Sequence, residues 1–331
     1  MAASIKDVAK EAGVSIATVS RVLNGINVVN EDTKRKVLDA IDKLGYRPNI
    51  LARSLKTHRS STIGIIIPDI ANSLFPEVVR GAEDVANIYN YNIMLCNTDL
   101  DLEREKESFR MLKEKMVDGV VYIGNALVDE VEELINELEL PIVSVGTGDK
   151  KGKYPSVTID NYKAAYDATN YLIDKGNKKV AFIGFFPSMY GGNYEKLFKG
   201  YKSAVEEKLE FDESLVYFSS LNAQEGYKGI NTILENNEVD AVFCGSDEVA
   251  VGVINALRER NISVPDDVDV MGFRDTDLAS MYYPTLTTIS QPLYDMGSIS
   301  MRLLIKIINK EEIDKKYFVL PYEIIERNSC K

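Results

Sequence analysis

The fold of the amino-terminal region is decided by the stretch Val14-Ser15-Ile16-Ala17-Thr18-Val19-Ser20-Arg21-Val22-Leu23-Asn24. Gly13 precedes this stretch and allows a tight turn, and Ser15 can cap a helix that runs to about Leu23. A turn glycine, a capping serine and helically spaced valines are together typical of the second helix of a helix-turn-helix. We therefore predict this motif here.

Further helices are predicted on both sides of this stretch. Ser4 and Asp7 have the spacing of a capping box and begin a first helix over about residues 5–12. Asn30 can cap a third helix, which Gly45 ends. Apolar residues at helical spacing can form one small core: Ile5, Val8, Ala9, Val14, Val19, Val22, Val37, Ile41 and Leu44. Residues 1–48 are thus predicted to form an all-α helix-turn-helix domain.

Charge is distributed unevenly along the chain. Residues 1–60 contain 11 Lys and Arg against 6 Asp and Glu, a net charge of +5. The whole chain has 39 against 51, or −12, so residues 61–331 have 28 against 45, or −17. A small basic head on a large acidic body indicates a polyanion-binding module joined to a body that does not bind polyanions.

The second helix of a helix-turn-helix enters the major groove of DNA with its first residues at the base edges. Base contacts are therefore predicted for Ile16, Ala17 and Arg21, and an Arg21 contact to guanine would contribute roughly 1–3 kcal/mol of discrimination. Phosphate contacts are predicted for Ser15, Thr18, Ser20, Asn24 and Tyr46. The alternative is a three-helix protein-binding bundle, which the positive charge of the head disfavours.

Residues 49–60 are predicted to form a hinge helix and linker. The segment Asn49-Ile50-Leu51-Ala52-Arg53-Ser54-Leu55 can form two turns of helix, too short to be stable alone in water. Leu55 could insert into the minor groove and kink the duplex. The DNA contacts predicted in this segment are Asn49, Ala52, Leu55 and Lys56. An ordinary interdomain linker is the alternative.

Composition excludes several kinds of site. The single histidine, His58, lies in the linker, which excludes a Ser-His-Asp or Cys-His site and a multi-histidine metal site. Cys96, Cys244 and Cys330 are far apart, which fits a reducing cytoplasm. There is no signal stretch and no apolar run of the ~20 residues that a bilayer span needs, so we expect a cytoplasmic protein without membrane contact. Neither GxGxxG nor Walker spacing occurs, and we expect neither a cofactor nor an enzymatic activity.

From Thr62 onward, short apolar runs alternate with amphipathic stretches. Continuous apolar strands separated by helices indicate parallel sheets covered on both faces. Eight strands are predicted, at about residues 63–67, 92–95, 119–123, 142–145, 180–183, 215–218, 241–244 and 268–273. The two sets of four predict two α/β halves that meet near residues 159–160, with a ligand crevice at the carboxyl ends of their strands.

These features together resemble the lactose-repressor (LacI/GalR) family of bacterial regulators, over essentially the whole chain. The matching segments are Ile5-Lys6-Asp7-Val8-Ala9, Val14 to Asn24, Leu44-Gly45-Tyr46-Arg47-Pro48-Asn49, Ala52-Arg53-Ser54-Leu55, Gly64-Ile65-Ile66-Ile67-Pro68-Asp69 and Gly245-Ser246-Asp247-Glu248-Val249-Ala250. The resemblance implies a homodimer on a near-palindromic double-stranded DNA operator, with Leu55 as a minor-groove lever.

The resemblance also implies a periplasmic-binding-protein-like core over residues 61–331. One subdomain would consist of about residues 61–160 plus 292–321, and the other of about 161–291 plus 322–331. An effector would bind in the cleft between them, where the candidate residues are Asn72, Asp247 and Arg274.

Two residues of this chain depart from the pattern of sugar- and purine-responsive members. Leu197 stands where they typically place an arginine, three residues before a Gly-aromatic pair, and Arg274 stands where they typically place an aspartate. A sugar site satisfies hydroxyl groups with such fixed polar groups, so their loss disfavours a tight neutral-sugar site. Arg274 would suit a phosphorylated or acidic ligand better.

Within the family, the chain resembles the catabolite control protein A type of Gram-positive bacteria. The segments that carry this likeness are residues 155–160, 199–202, 291–297 and 301–304. This resemblance implies that the co-regulator is a protein, the phosphocarrier HPr phosphorylated on serine.

A helix from about Pro292 to Asn309 carries the residues that could bind such a partner. Tyr294, Ser298, Arg302 and Lys306 recur every four residues and are predicted to share one outward stripe, in which Arg302 and Lys306 offer a fork and a point charge to a phosphoryl group. Further candidates for this surface are Asp295, Asp69, Glu77, Asp84, Tyr89 and Tyr91. A solvated helix face is the alternative.

Three functions follow from these patterns. The first is a DNA-binding regulator driven by a phosphoprotein, and the second is a repressor controlled by a sugar or sugar phosphate in the cleft. The third, a periplasmic-type binding protein or sugar enzyme, is disfavoured by the basic head and the absence of catalytic histidines.

Overall fold

The computed structural model of the chain describes residues 3–23, 29–46, 59–72, 74–124, 127–146, 153–186 and 192–331. The chain separates into two units, residues 1–60 and residues 61–331. The first unit is helical and the second is built from two parallel-sheet α/β subdomains, which confirms the predicted fold class. In the described part of the chain, no helix is both long enough and apolar enough to cross a bilayer.

The first unit contains the three predicted helices, α1 (Ile5–Glu11), α2 (Ile16–Leu23) and α3 (Glu31–Leu44). The capping box is confirmed, because the backbone N–H of Ser4 donates to Asp7 Oδ2 at 2.9 Å and the N–H of Asp7 donates back to Ser4 Oγ. Gly45 ends α3 in the left-handed conformation. The buried residues of this unit are Val8, Ala9, Val19, Val37 and Ala40.

The second unit contains two six-stranded sheets. The first consists of β1 (Thr62–Ile67), β2 (Asn92–Asn97), β3 (Gly119–Ile123), β4 (Ile142–Val145), β5 (Ser156–Ile159) and β11 (Tyr317–Leu320). Its order is β11-β5-β4-β3-β1-β2, and every neighbouring pair is parallel.

The second sheet consists of β6 (Val180–Gly184), β7 (Val216–Phe218), β8 (Ala241–Cys244), β9 (Asp269–Arg274), β10 (Thr287–Ser290) and β12 (Glu323–Ile325). Its order is β12-β10-β9-β8-β6-β7, and only β12 pairs antiparallel. All eight predicted strands are confirmed to within two residues. The sequence pattern missed β5, β10, β11 and β12.

Nine helices among the described residues of this unit cover the sheets. They are α4 (Leu74–Ile88), α5 (Leu102–Glu114), α6 (Asp129–Leu138), α7 (Asn161–Asp174), α8 (Asn193–Lys208), α9 (Ala223–Leu234), α10 (Asp247–Glu259), α11 (Asp277–Met281) and α12 (Leu293–Ile308). Helices α4 and α12 pack on one face of the first sheet, and α5 and α6 pack on the other. Helices α7 and α8 pack on one face of the second sheet, and α9 and α10 pack on the other. The first sheet with its helices is called the N-subdomain below, and the second the C-subdomain.

Helices α4 and α12 cross at two glycines. A Cβ atom added to Gly297 would lie 1.9 Å from the carbonyl oxygen of Val78, and one added to Gly81 would lie 2.0 Å from the carbonyl oxygen of Tyr294. Both distances are far shorter than any van der Waals contact, so only glycine allows the two backbones to approach this closely. The crossing therefore fixes which residues of the two helices share an exposed surface.

Candidate functional site

The predicted recognition helix α2 presents an exposed face. Ser15, Ala17 and Arg21 are exposed, and Ile16 retains 45% of its accessible surface. Val19 is fully buried on the opposite side and anchors the helix to the core of the first unit. The three predicted base readers are thus on the accessible side of the helix, as a major-groove contact requires.

The hydroxyl groups at the start of α2 are coupled. Ser15 Oγ accepts a hydrogen bond from the N–H of Thr18 at 3.1 Å and lies 2.9 Å from Thr18 Oγ1. A hydroxyl group offers one donor and two acceptor positions, so one member of this pair keeps a donor for a phosphate oxygen. Ser20 and Tyr46 are half-buried, and Tyr46 packs against the small core. The predicted contacts Asn24, Asn49, Ala52, Leu55 and Lys56 lie outside the described residues and stay predictions.

Polar residues lie on α4 and α12 at their crossing and along α12 beyond it, and we call them the α4–α12 patch: Arg80, Asp84, Tyr294, Arg302 and Lys306. The hydroxyl group of Tyr294 donates to Asp84 Oδ2 at 3.0 Å, and Arg80 Nη2 lies 3.2 Å from Asp84 Oδ1. The hydrogen bond to Asp84 raises the pKa of Tyr294, so its phenol is a neutral donor. Arg302 and Lys306 are exposed, and among the described residues neither has a carboxylate within ion-pair distance.

Ser298 does not belong to this exposed surface, which corrects the predicted stripe. It retains 6% of its accessible surface, and α4 passes close to it, since a Cβ atom built on Gly81 would lie only 3.1 Å from its backbone nitrogen. Helix α4 thus covers α12 at this residue. A four-residue spacing also drifts by about 40° per step around a helix of 3.6 residues per turn, so the row does not stay on one face. Sequence reasoning missed Arg80, although its spacing of four from Asp84 was a usable signal.

The remaining co-regulator candidates lie on α12, on α4 and at both edges of the first sheet. Asp295 is exposed at the start of α12. Asp69 follows β1, at the carboxyl edge of the first sheet, whereas Tyr91 directly precedes β2, at the amino edge, beside the exposed Tyr89. Burial, followed by the charges of Asp277 and Asp275, raises the pKa of Glu77. Glu77 therefore lies at the end of α4 that faces the C-subdomain.

A cleft separates the carboxyl edges of the two sheets. Its cavity is only about 60 Å³, far below the roughly 300–1,000 Å³ typical of small-molecule sites. Its polar lining includes Thr158, Asn161, Asn193, Tyr194, Arg274 and Gln291. In this conformation the cleft has room for a few water molecules.

Arg274 lies in the wall of this cleft, as predicted. It retains 6% of its accessible surface, and its Nη2 donates to the hydroxyl group of Tyr194 at 3.4 Å. Its φ of 113° and that of 58° at the following Asp275 are rare for residues other than glycine. Asp275 Oδ1 forms an ion pair with Arg327 Nη2 at 2.7 Å. The strained loop thus carries a buried cation at the cleft.

Asp247 is not available to a ligand, and that prediction is wrong. It is fully buried, and its oxygens accept hydrogen bonds from the N–H and hydroxyl group of Thr276 and from the hydroxyl group of Thr288, at 2.7, 2.9 and 2.7 Å. Burial raises its pKa to about 6. Asp247 therefore holds the loop that carries Arg274. Asn72 does not line the cavity either, because its Oδ1 accepts from the N–H of Leu74 at the start of α4.

The cleft contains a polar contact that the sequence did not indicate. Asn193 Nδ2, in the C-subdomain, donates to the carbonyl oxygen of Gly146, in the N-subdomain. The same carbonyl accepts from Thr158 Oγ1 at 2.7 Å, and Asn193 Oδ1 accepts from Asn161 Nδ2 at 3.1 Å. The partners are far apart in sequence, so no local pattern could have revealed them. In the described part of the chain, no group of three or more His, Cys, Asp or Glu residues is arranged to hold a metal ion.

Comparison with known proteins places both units in one family. Residues 4–49 match the model of bacterial regulatory proteins of the lacI family, and residues 169–330 match a periplasmic binding protein-like domain. The chain is 59% identical to the HTH-type transcriptional regulator RegA of Clostridium saccharobutylicum, over 99% of each chain. It is 42% identical to catabolite control protein A of Priestia megaterium over the full length of both. The crystal structure of the transcription regulator CcpA of Lactococcus lactis matches 82% of this chain and 99% of its own, with 36% identity and a TM-score of 0.76.

Proposed function

This chain belongs to the LacI family of DNA-binding transcriptional regulators, and we propose that it is a catabolite-control regulator whose co-regulator is seryl-phosphorylated HPr. It would act as a homodimer on a near-palindromic operator. The full-length similarity to catabolite control protein A supports this assignment within the family.

The exposed face of α2 supports the operator contacts. Arg21 is exposed on the helix that the family inserts into the major groove, and a bidentate contact to guanine would give it roughly 1–3 kcal/mol of sequence discrimination. The net charge of +5 in residues 1–60 supplies the sequence-independent attraction to phosphates. A dimer would present two such helices to two half-sites.

The observation that carries the co-regulator proposal is the pair of exposed cations in the α4–α12 patch. Residues 61–331 have a net charge of −17, yet Arg302 and Lys306 are neighbours on one helix face, with no ion-pair partner among the described residues. A phosphoryl group would supply the missing charge, since arginine binds it as a planar fork and lysine as a point charge. The Tyr294–Asp84–Arg80 group, about 12 Å from Arg302 along the helix axis, offers polar contacts to the protein that carries the phosphate.

Operator binding by the double variant Arg302→Ala/Lys306→Ala tests this proposal. Fluorescence anisotropy of a labelled palindromic duplex would be recorded with and without seryl-phosphorylated HPr. The wild type should bind more tightly with the phosphoprotein, and the variant should lose roughly tenfold or more of that gain, because each charge-assisted hydrogen bond contributes about 1.5–3 kcal/mol. Its affinity without the phosphoprotein should be unchanged.

A matched control removes the same two charges elsewhere in the second unit. Arg110 and Lys178 are exposed, on α5 and before β6, and the variant Arg110→Ala/Lys178→Ala should keep the full response. An equal response in the Arg302→Ala/Lys306→Ala variant and in the wild type would contradict the proposal.

One observation favours a second function, control by a sugar phosphate in the cleft. Arg274 is a buried cation in the cleft wall and could pair with a phosphoryl group if the cleft opened. Against this, the cavity of about 60 Å³ is too small for a sugar phosphate as it stands. Titration of operator affinity with sugars and sugar phosphates alone would separate the two functions.

A further inference from the structure

Asn193 connects the two subdomains across the cleft. Its Nδ2 donates to the carbonyl oxygen of Gly146, which follows β4 in the N-subdomain, and its Oδ1 accepts from Asn161 Nδ2 at the start of α7. Asn161 retains 5% of its accessible surface, so this contact is shielded from water. The Nδ2 end of the amide group thus bridges the cleft, while the Oδ1 end is held by Asn161 of the same subdomain.

Asn193 is the first residue of α8, and the N-cap residue before it is Gly192, which has no side chain to cap the helix. The side chain of Asn193 is directed to the other subdomain. Gly146 contributes a φ of +82°, which turns its carbonyl group toward both Thr158 and Asn193. Both acceptor positions of that carbonyl oxygen are thereby filled.

The rest of the cleft is also filled by the protein's own side chains. Tyr194 packs against Phe185, with ring centroids 4.7 Å apart, and its hydroxyl group accepts from Arg274. Leu197, fully covered, and Phe273 supply apolar contacts to the lining. The polar groups that a bound sugar would need are therefore largely satisfied within the protein, and about 60 Å³ of space remains.

We infer that Asn193 is a built-in cleft strap, which takes the place of a small-molecule effector and keeps the two subdomains closed without one. A bound ligand would hold the cleft shut by hydrogen bonding to both sides, and Asn193, itself part of the C-subdomain, makes such a bond to the N-subdomain directly. Closure is then a property of the chain, and a regulatory signal has to reach the protein at another surface.

The open and closed populations can be measured with two spin labels in the full chain. Ala71 follows β1 and Ser220 follows β7; both are exposed and lie at the carboxyl edges that border the cleft. Cys96, Cys244 and Cys330 are buried, so cysteines introduced as Ala71→Cys and Ser220→Cys would be labelled selectively. Pulsed electron resonance without any ligand should give one short distance for the wild type.

Removing the strap should open the cleft. Asn193→Ala loses the one hydrogen bond that crosses the cleft, which contributes about 0.5–1.5 kcal/mol, so the ratio of open to closed molecules should rise roughly two- to tenfold. Asn193→Asp keeps the size of the side chain but sets an oxygen against the Gly146 carbonyl, and it should open the cleft even if the alanine variant folds poorly. Thr158→Val removes two hydrogen bonds, both within the N-subdomain, and should stay closed.

Two results would overturn the inference. One is a long-distance population that dominates in the ligand-free wild type, and the other is an unchanged distance in a folded Asn193→Asp variant. Thermal unfolding of each variant establishes that it is folded. Because the experiment contains neither DNA nor phosphoprotein, its result is independent of the co-regulator proposal.

Discussion

The polar side chains of the cleft and the two cations Arg302 and Lys306 of the α4–α12 patch differ in whether they have partners within the protein. In the cleft, Asn193, Thr158 and Arg274 are bonded to groups of the protein itself. In the patch, Arg302 and Lys306 are exposed and have no ion-pair partner among the described residues. A binding site needs polar or charged groups that still lack a partner within the protein. By this criterion the patch, and not the cleft, is ready to receive a ligand.

The largest expected effect comes from Gly297→Ala, which would destroy the patch. The added methyl group meets the backbone of Val78 at 1.9 Å, so α12 must move away from α4. We expect a loss of about 3 kcal/mol in the free energy of unfolding, at the upper end for overpacking. Urea denaturation measures it. Ser298→Ala, at the same crossing, should cost less than about 1 kcal/mol, and a similar small loss in both variants would refute the role of the crossing.

A buried polar atom without a hydrogen-bond partner should lower the stability of the fold, and Glu105 contains such an atom among the described residues. Burial raises its pKa to about 7, and its Oε1 has no hydrogen-bond partner in the described part of the chain. The folded state therefore holds the proton more tightly than the unfolded state, so stability falls as pH rises from about 4.5 through 7.

Glu105→Gln removes this dependence. The free energy of unfolding of the variant should exceed that of the wild type by roughly 1–2 kcal/mol at pH 8 and should differ little from it at pH 5. This difference is discounted, for partial exposure of the side chain, from about 1.36 kcal/mol per unit of pKa shift. Urea denaturation at the two pH values gives both differences. Glu107→Gln, exposed on the same helix, should show no such change. An identical effect of Glu105→Gln at both pH values would contradict the assignment.

Within the patch, Tyr294→Phe should have a smaller effect. It removes the hydroxyl group that orients Asp84 and that can accept one hydrogen bond from the partner. Loss of one such intermolecular bond, about 1 kcal/mol, would lower the gain in operator affinity with seryl-phosphorylated HPr roughly fivefold. Anisotropy titration measures that gain. Tyr162→Phe removes an exposed hydroxyl group elsewhere on the second unit and should leave the gain intact.

The smallest effect is expected for Arg274→Ala in the cleft. If the signal arrives at the patch, the affinity gain produced by the phosphoprotein should change less than about twofold, because Arg274 is enclosed in the other region. The same anisotropy titration applies. A tenfold loss would show that the cleft takes part in the response.

The sequence predicted those features that depend on neighbouring residues. The caps at Ser4 and Asn30 and the eight apolar strands required only local spacing. Strand β10 was missed because Thr287 and Thr288 read as polar, although both are fully buried and their hydroxyl groups are satisfied by the distant Arg327 and Asp247.

The functional residues that depend on tertiary contacts were harder to predict. Ser298 has the spacing of an exposed residue but is covered by another helix. Asp247 was expected to face a ligand, yet its partners lie 29 and 41 residues away and bury it. The bond of Asn193 to Gly146 spans 47 residues. None of these contacts has a periodic signal in the sequence.

The most direct test of this account is the operator affinity of the wild-type protein with each candidate input. Anisotropy titrations would compare seryl-phosphorylated HPr, unphosphorylated HPr and glucose 6-phosphate at the same salt concentration. We expect a tighter Kd with the phosphoprotein alone, and no change with the other two. A comparable tightening by glucose 6-phosphate in the absence of any HPr would contradict the assignment of the input to the α4–α12 patch.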